Sequence, residues 1–430
     1  MSQENSLPTT PAMLWRWLGR GLRIVGIAIV CILMLDLVAW LGLKLAGHRE
    51  TPYLDPALVY PGASWGAELL DESAAVRLAW NPYCYWRAAP FASRYVNVDA
   101  DGRRRTWDGG APRVTGVNVR VHRVFVFGAS PIFGVDARDD YTIPSLLAKD
   151  LNQADIGNVE VIDYGQPGYV STQELIGFLL ALRADQRPDL VVFYDGFNDA
   201  DAAYRSGTAG ITAGEGQRAR EFNLLNHTLA SRRRALYRAA AGTFLTESSL
   251  GIVLRTIRRH HPGAVSDRKT GKSLPIVNPA ARRPGARLAD TVAADYLKNL
   301  RLADATAAGL GIRMLVYWQP SLATKSPRSA FESRLAGEAA RAAPGEEQFV
   351  REVGSDLRAI MVTPGYRGPR ITDLSTILNG QRSCFVDDVN LVEGCDAVIA
   401  SRIAAGAIPV LQELAARERL APRPFQFRGR

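Results

Sequence analysis

Residues 123–134, RVFVFGASPIFG, run from an apolar stretch directly into a serine set between Gly128 and Gly134. Val124, Phe125, Val126 and Phe127 show no polar alternation, which suits a strand buried on both faces in the middle of a parallel sheet. The glycines let the chain turn sharply, and Ser130 falls at the exit of the strand. In an open parallel sheet, ligands and reacting groups gather in the crevice beyond the carboxyl ends of the strands. The residues that follow each apolar run therefore decide what the chain can do.

Similar runs recur at Val159–Asp163, Leu190–Tyr194, Arg313–Tyr317 and Ile371–Leu374. They alternate with helical patterns near Thr142–Leu151, Thr172–Ala184, Asp290–Ala308, Gln348–Met361 and Val392–Ala416, an order that predicts an α/β domain with helices on both faces of a parallel sheet. An insertion at about 201–289 interrupts the alternation, and ARRPGAR near its end reads as a loop. Before the domain, residues 44–120 are rich in Pro, Tyr, Trp and Gly and predict an irregular or short-stranded lead-in. Trp80, Tyr83, Tyr85 and Trp86 in it suit packing against the main domain better than stacking on sugar rings, which is the alternative. No internal repeat is present.

Three strand ends bear polar signatures: GASPIFG at 128–134, GQPGY at 165–169 and DGFND at 195–199. Each alone is ordinary turn chemistry. Their order is what matters, because acyl transfer needs a nucleophile and donors for the tetrahedral oxyanion. Ser130 Oγ, the amides of Ser130 and Gly168 and the Asn198 side chain are the groups for that task. Here the chain resembles the SGNH or GDSL-like hydrolase superfamily, with FGASPIFG as its serine block, DYGQPGYVS as its glycine block and YDGFND as its asparagine block. Ala129 stands where the GDSL spelling has Asp. The resemblance spans about 121–418 and implies a flavodoxin-like three-layer α/β/α fold, nucleophile Ser130 and oxyanion residues Gly168 and Asn198. Residues 419–430 form a tail beyond it.

The family's last block, Asp-x-x-His, falls on FVDDVNLVEG at 385–394. The alignment puts Asp387 at the acid and Asn390 at the histidine. A neutral amide takes no proton from serine near pH 7, and positioned acid–base catalysis is worth roughly 10²–10⁴-fold. His48 lies beside the N-terminal apolar segment, and His122 enters the first strand at the end opposite Ser130. His227, His260 and His261 lie in the insertion; surface or packing roles suit them better than that of a substitute base. Asp387 acting on Ser130 directly is a weak alternative, since an unperturbed carboxylate titrates near ~3.9.

Ile24–Leu43 matches the roughly 20 residues that cross a bilayer as a helix. It is longer than a signal peptide's apolar core and lacks a small-x-small cleavage site, so it predicts a retained anchor. Arg16, Arg20 and Arg23 before it predict residues 1–23 on the cytoplasmic side, with the domain periplasmic across a bacterial inner membrane. Asp36 inside the span predicts either a membrane partner or a shifted, tilted span that brings it to the interface. Outside the span three arrangements are open, namely a short loop closed by Cys384 and Cys395, a bridge from Cys84 to either of them, and no bridge; an exported compartment permits all three.

The 430 residues are 47% hydrophobic with a formal charge of +9. That composition supports a sizeable core and excludes a disordered chain. No groove-reading motif accompanies the charge, which points away from nucleic acid and toward an acidic polymer or lipid headgroups. No cofactor is implied, and no ligand cluster suggests a metal. Two functions fit: an anchored, exported esterase or acyltransferase acting on a polysaccharide or other acylated glycan, and a non-catalytic scaffold of polysaccharide or envelope assembly that has lost its base.

Overall fold

The computed structural model describes residues 11–45, 55–109, 120–154, 156–224, 248–250 and 287–420. Two units emerge, one of residues 1–52 with 217–275 and one of residues 53–216 with 276–430. In the first, Pro11–Leu45 is one helix. Its stretch Arg20–Gly42 is long and apolar enough to cross a membrane or to serve as a signal sequence, and none of it is buried. Asp36 Oδ1 accepts the Leu250 N–H at 2.8 Å, so this carboxylate has a partner within its own chain.

The second unit opens with short helices Pro56–Val59 and Gly66–Ala75 and two ribbons. Strands β1 (Leu78–Asn81) and β2 (Tyr85–Ala88) pair antiparallel, as do β3 (Phe91–Ala92) and β4 (Asn97–Val98). The lead-in is therefore short-stranded, as its composition predicts. Five parallel strands follow: β5 (Val121–Gly128), β6 (Asn158–Asp163), β7 (Leu190–Asp195), β8 (Arg313–Trp318) and β9 (Ile371–Asp373). Each lies within a residue or two of the apolar run that predicts it.

The sheet order is β6-β5-β7-β8-β9, the second strand outside the first, which is the flavodoxin-like doubly wound order. Alternation along β5 explains the layers. Val124 and Val126 join Leu190, Val192 and Tyr194 on one face, covered by Leu147 and Leu151 of helix Ile143–Gln153 and by Ile399, Ile403 and Leu411 of helix Glu393–Leu420. Phe125, Phe127, Val191 and Phe193 face the other side, covered by Phe178, Val292, Tyr296, Leu300, Val353 and Leu357. Full burial of such side chains contributes about 1.5–3 kcal/mol each. Helix Glu393–Leu420 is also apolar and long enough to span a bilayer, but its apolar face is packed into this core. Among the described residues, helices at Phe197–Ser206 and Ala330–Ala342 were not anticipated. The first runs on from the asparagine block into the sequence assigned to the insertion, and the second begins with the capping box Ser329…Glu332.

Candidate active site

The order of the sheet reverses between β5 and β7, and at such a switch point the two crossovers leave to opposite faces and open a crevice. Ser130 follows β5 and Asn198 follows β7, one on each side of that opening. Ala129 (φ −95°, ψ −146°) ends the strand, and Ser130–Phe133 then makes a single helical turn closed by Gly134 at φ +76°. A Cβ on Gly128 would lie 2.5 Å from both Ile132 Cγ1 and the Tyr194 carbonyl, so only glycine permits this exit from the strand. Arg104 of the lead-in fixes the far side of the turn. Buried against Asp139 at 2.6 Å, its guanidinium donates to the Gly134 and Ala137 carbonyls at 3.0 and 2.7 Å.

The glycine block is zipped onto this turn. Tyr164 N and Gln166 N donate to the Val126 and Gly128 carbonyls at 2.9 and 3.1 Å, and a Cβ on Gly165 would fall 2.5 Å from Phe133 N. Gly168 then takes the left-handed conformation, φ +76°. The amides of Ser130 and Gly168 donate no backbone hydrogen bond among the described residues, as groups free to meet an oxyanion must. Asn198, second in helix Phe197–Ser206, donates through Nδ2 to the Tyr169 carbonyl at 2.8 Å, which sets it beside Gly168. The next residue fastens the two blocks together: Asp199 accepts from Ser171 N at 3.0 Å and Ser171 Oγ at 2.5 Å.

The last block retains the hydrogen bonds of an acid and its partner. Asp387 Oδ1 accepts from Val389 N and Asn390 N at 2.8 and 2.7 Å, and Oδ2 accepts from Asn390 Nδ2 at 2.7 Å. The amide of Asn390 is thus oriented by the carboxylate as an imidazole would be, while Asn390 Oδ1 is buried with no hydrogen-bond partner. Cys384 and Cys395 form the disulfide that closes this loop, and Cys84 is a buried free thiol. Glu332, invisible as a site residue in sequence except through its capping box, clamps the entry to the loop. Its Oε1 accepts from Cys384 N at 2.8 Å, Phe385 N at 3.1 Å and Lys325 Nζ at 2.7 Å, and the ion pair is almost wholly buried.

The charge of Asp387 is felt by neighbours on both sides of this loop. Burial raises Asp136, six residues beyond Ser130, to about 7, and the charge of Asp387 adds to the effect. Burial, then Asp387 and Asp201, raise Asp388 to about 6, and Asp388 shares a small cavity with Phe197, Leu322 and Glu346. Leu322 N donates to the Asp388 carbonyl at 2.9 Å. Beneath Asn198, burial raises Asp199 to about 7 and also raises Asp195 and Glu174. His122, the one histidine among the described residues, is buried at the start of β5 with Nδ1 3.7 Å from Asp189, at the end opposite Ser130. His48, His227, His260 and His261 lie outside the described residues.

No family model matches the chain, and no curated protein matches it in sequence. Among solved structures, a carbohydrate acetylesterase from Sinorhizobium meliloti is 12% identical with a TM-score of 0.34, the alignment covering 67% of this chain and 99% of that one. A lipolytic protein of the G-D-S-L family from Veillonella parvula is 11% identical at TM-score 0.32, covering 66% and 97%. A lipase/acylhydrolase from Enterococcus faecalis is 14% identical at TM-score 0.29, covering 67% and 96%. Superpositions this loose add no weight of their own; the strand order and the block at each strand end are the grounds for the assignment. The chain has a flavodoxin-like doubly wound α/β fold, and the blocks at its strand ends resemble those of the SGNH hydrolases.

Proposed function

We propose that this chain is a membrane-anchored, exported SGNH-type esterase or acyltransferase acting on acyl esters of a surface or secreted polysaccharide, with a triad whose base is missing. The observation behind it is the three-bond cradle of Asp387 around Asn390, which keeps the geometry of an acid and base pair around a side chain that cannot accept a proton. In this reading Ser130 Oγ attacks the ester carbonyl carbon, and the Ser130 and Gly168 amides with Asn198 Nδ2 receive the developing oxyanion. Asn390 Oδ1 accepts a hydrogen bond from the serine hydroxyl and orients it, and the proton reaches the leaving alkoxide through water. The acyl group passes from Ser130 to water in hydrolysis or to a sugar hydroxyl in transfer. Residues 24–43 tether the domain and Arg16, Arg20 and Arg23 hold the N-terminus inside.

The second reading is a binding or scaffold protein of polysaccharide or envelope assembly. The neutrality of Asn390 favours it, because without a positioned base the rate falls by roughly 10²–10⁴-fold. The full chain in detergent, compared with its Ser130→Ala variant on an acetylated glycan and on an aryl acetate, separates the two. The esterase reading expects wild-type release or transfer of acetate at least tenfold above Ser130→Ala, ~1.4 kcal/mol of barrier. Equal rates on both substrates leave only the scaffold.

A further inference from the structure

The hairpin β1–β2 forms a wall beside the candidate oxyanion glycine, and Trp80 and Tyr83 are its two most accessible rings. Trp86 Nε1 donates to the Pro167 carbonyl at 2.8 Å, Tyr169 Oη donates to the Trp86 carbonyl at 2.5 Å, and a Cβ on Gly168 would meet the Trp86 ring at 3.7 Å. At the tip, Cys84 is buried and Gln173 Nε2 donates to its carbonyl at 2.7 Å. Both residues flanking Cys84 are bulky aromatics in the left-handed region, Tyr83 at φ +69° and Tyr85 at φ +72°, a conformation uncommon for such residues. Docking thus fixes the backbone so that Tyr83 projects.

The expectation that all four aromatics pack inward is half right. Trp86 and Tyr85 are half-buried, whereas Trp80 is 69% and Tyr83 68% exposed. Trp80 sits opposite Trp86 across the ribbon, and the Trp86 ring is the one that borders Gly168. Trp80 also lies 5.9 Å from the Tyr85 ring, tilted by 44°. The only charged side chain in 78–88 is Arg87, and it is engaged with the Asp101 and Ala100 carbonyls. Glu215 Oε1 accepts from Tyr85 Oη at 3.2 Å, so the nearby carboxylate is also engaged, and an apolar ring face next to an ester site matches the C–H face of a neutral sugar.

We propose that hairpin β1–β2 is the glycan-binding wall of the Ser130 crevice, with Trp80 and Tyr83 stacking on sugar rings of the polysaccharide that bears the ester. The proposal rests on the esterase reading for the identity of the ligand, and its test does not need turnover. Acetylated xylo-oligosaccharide is titrated against the full chain in nanodiscs, first as Ser130→Ala and then as Ser130→Ala with Trp80→Ala and Tyr83→Ala, with binding read by calorimetry. The expected result is binding weakened about tenfold or more by loss of the rings, ~1.4 kcal/mol, with the denaturant midpoint of the protein unchanged. Equal affinities, or no binding in either form, overturn the wall. Loss of affinity on removing the rings in a chain that turns over neither substrate sinks the esterase reading and leaves the wall standing. A bilayer is the competing occupant: if brominated lipid quenches the fluorescence difference between wild type and Trp80→Phe, the ring sits in lipid and the proposal fails.

Discussion

Asp136 shows what residue-scale physics adds to a motif. It is a non-glycine residue at φ +63°, with Oδ2 buried and unpartnered, facing the charges of Asp387, Arg104 and Asp396. Nothing in VDARDD marks it as buried, because burial at this position follows from Tyr60, which donates to its carbonyl at 2.6 Å from a helix far earlier in the chain. The folded carboxyl titrates at about 7 against an ordinary 3.8. The folded state therefore binds more protons across that interval, and its stability falls as pH rises from about 4 to about 7, remaining low above it. Asp136→Asn removes the penalty: the unfolding free energy from chemical denaturation is expected to rise by on the order of 1–4 kcal/mol near pH ~8 and to stay unchanged near pH ~4. A variant equally shifted at both would show that the charge at Asp136 is not the cause.

Elements explain why the sequence reveals the sheet and conceals the supports of the site. The five parallel strands are apolar enough to be found by eye, and Ser130, Gly168 and Asn198 follow them at once, so the crevice is legible from order alone. Arg104, Gln166 and Glu332 are not, because their roles depend on contacts across the fold. Gln166, for instance, accepts from Ala88 N and donates to the Gly102 carbonyl, both at 2.7 Å, and so ties the lead-in to the glycine block. The loop 384–395 is a third case: sequence leaves three arrangements of cysteines, and packing of Cys384 and Cys395 in one core cluster selects one. Constraining a loop of that size in the unfolded chain contributes about 3 kcal/mol. The Cys384→Ala, Cys395→Ala pair is expected to lose roughly that much in chemical denaturation and to lose Asn390's position with it; an unchanged midpoint would mean that Glu332 alone holds the loop.

At the scale of the whole molecule, the candidate site is assembled from both ends of the domain. The turn bearing Ser130 is braced by Arg104 from the lead-in, Gly168 and Asn198 come from successive crossovers, and Asp387 and Asn390 come from the loop ahead of the last helix. A half-buried ion pair joins the extremes, Arg138 to Glu393 at 2.7 Å, with Arg138 stacked on Trp65 at 3.8 Å. A change at one position can restore chemistry only if that whole assembly is in place. Asn390→His supplies the missing base where Asp387 already provides the orienting carboxylate. Aryl acetate hydrolysis by the full chain in nanodiscs is the direct measurement. The account predicts a gain of roughly 10²–10⁴-fold in Asn390→His, rising with pH through the imidazole range near ~6.5 and abolished by adding Ser130→Ala. Hydrolysis by Asn390→His no faster than by Ser130→Ala, in a protein that still folds, would contradict it.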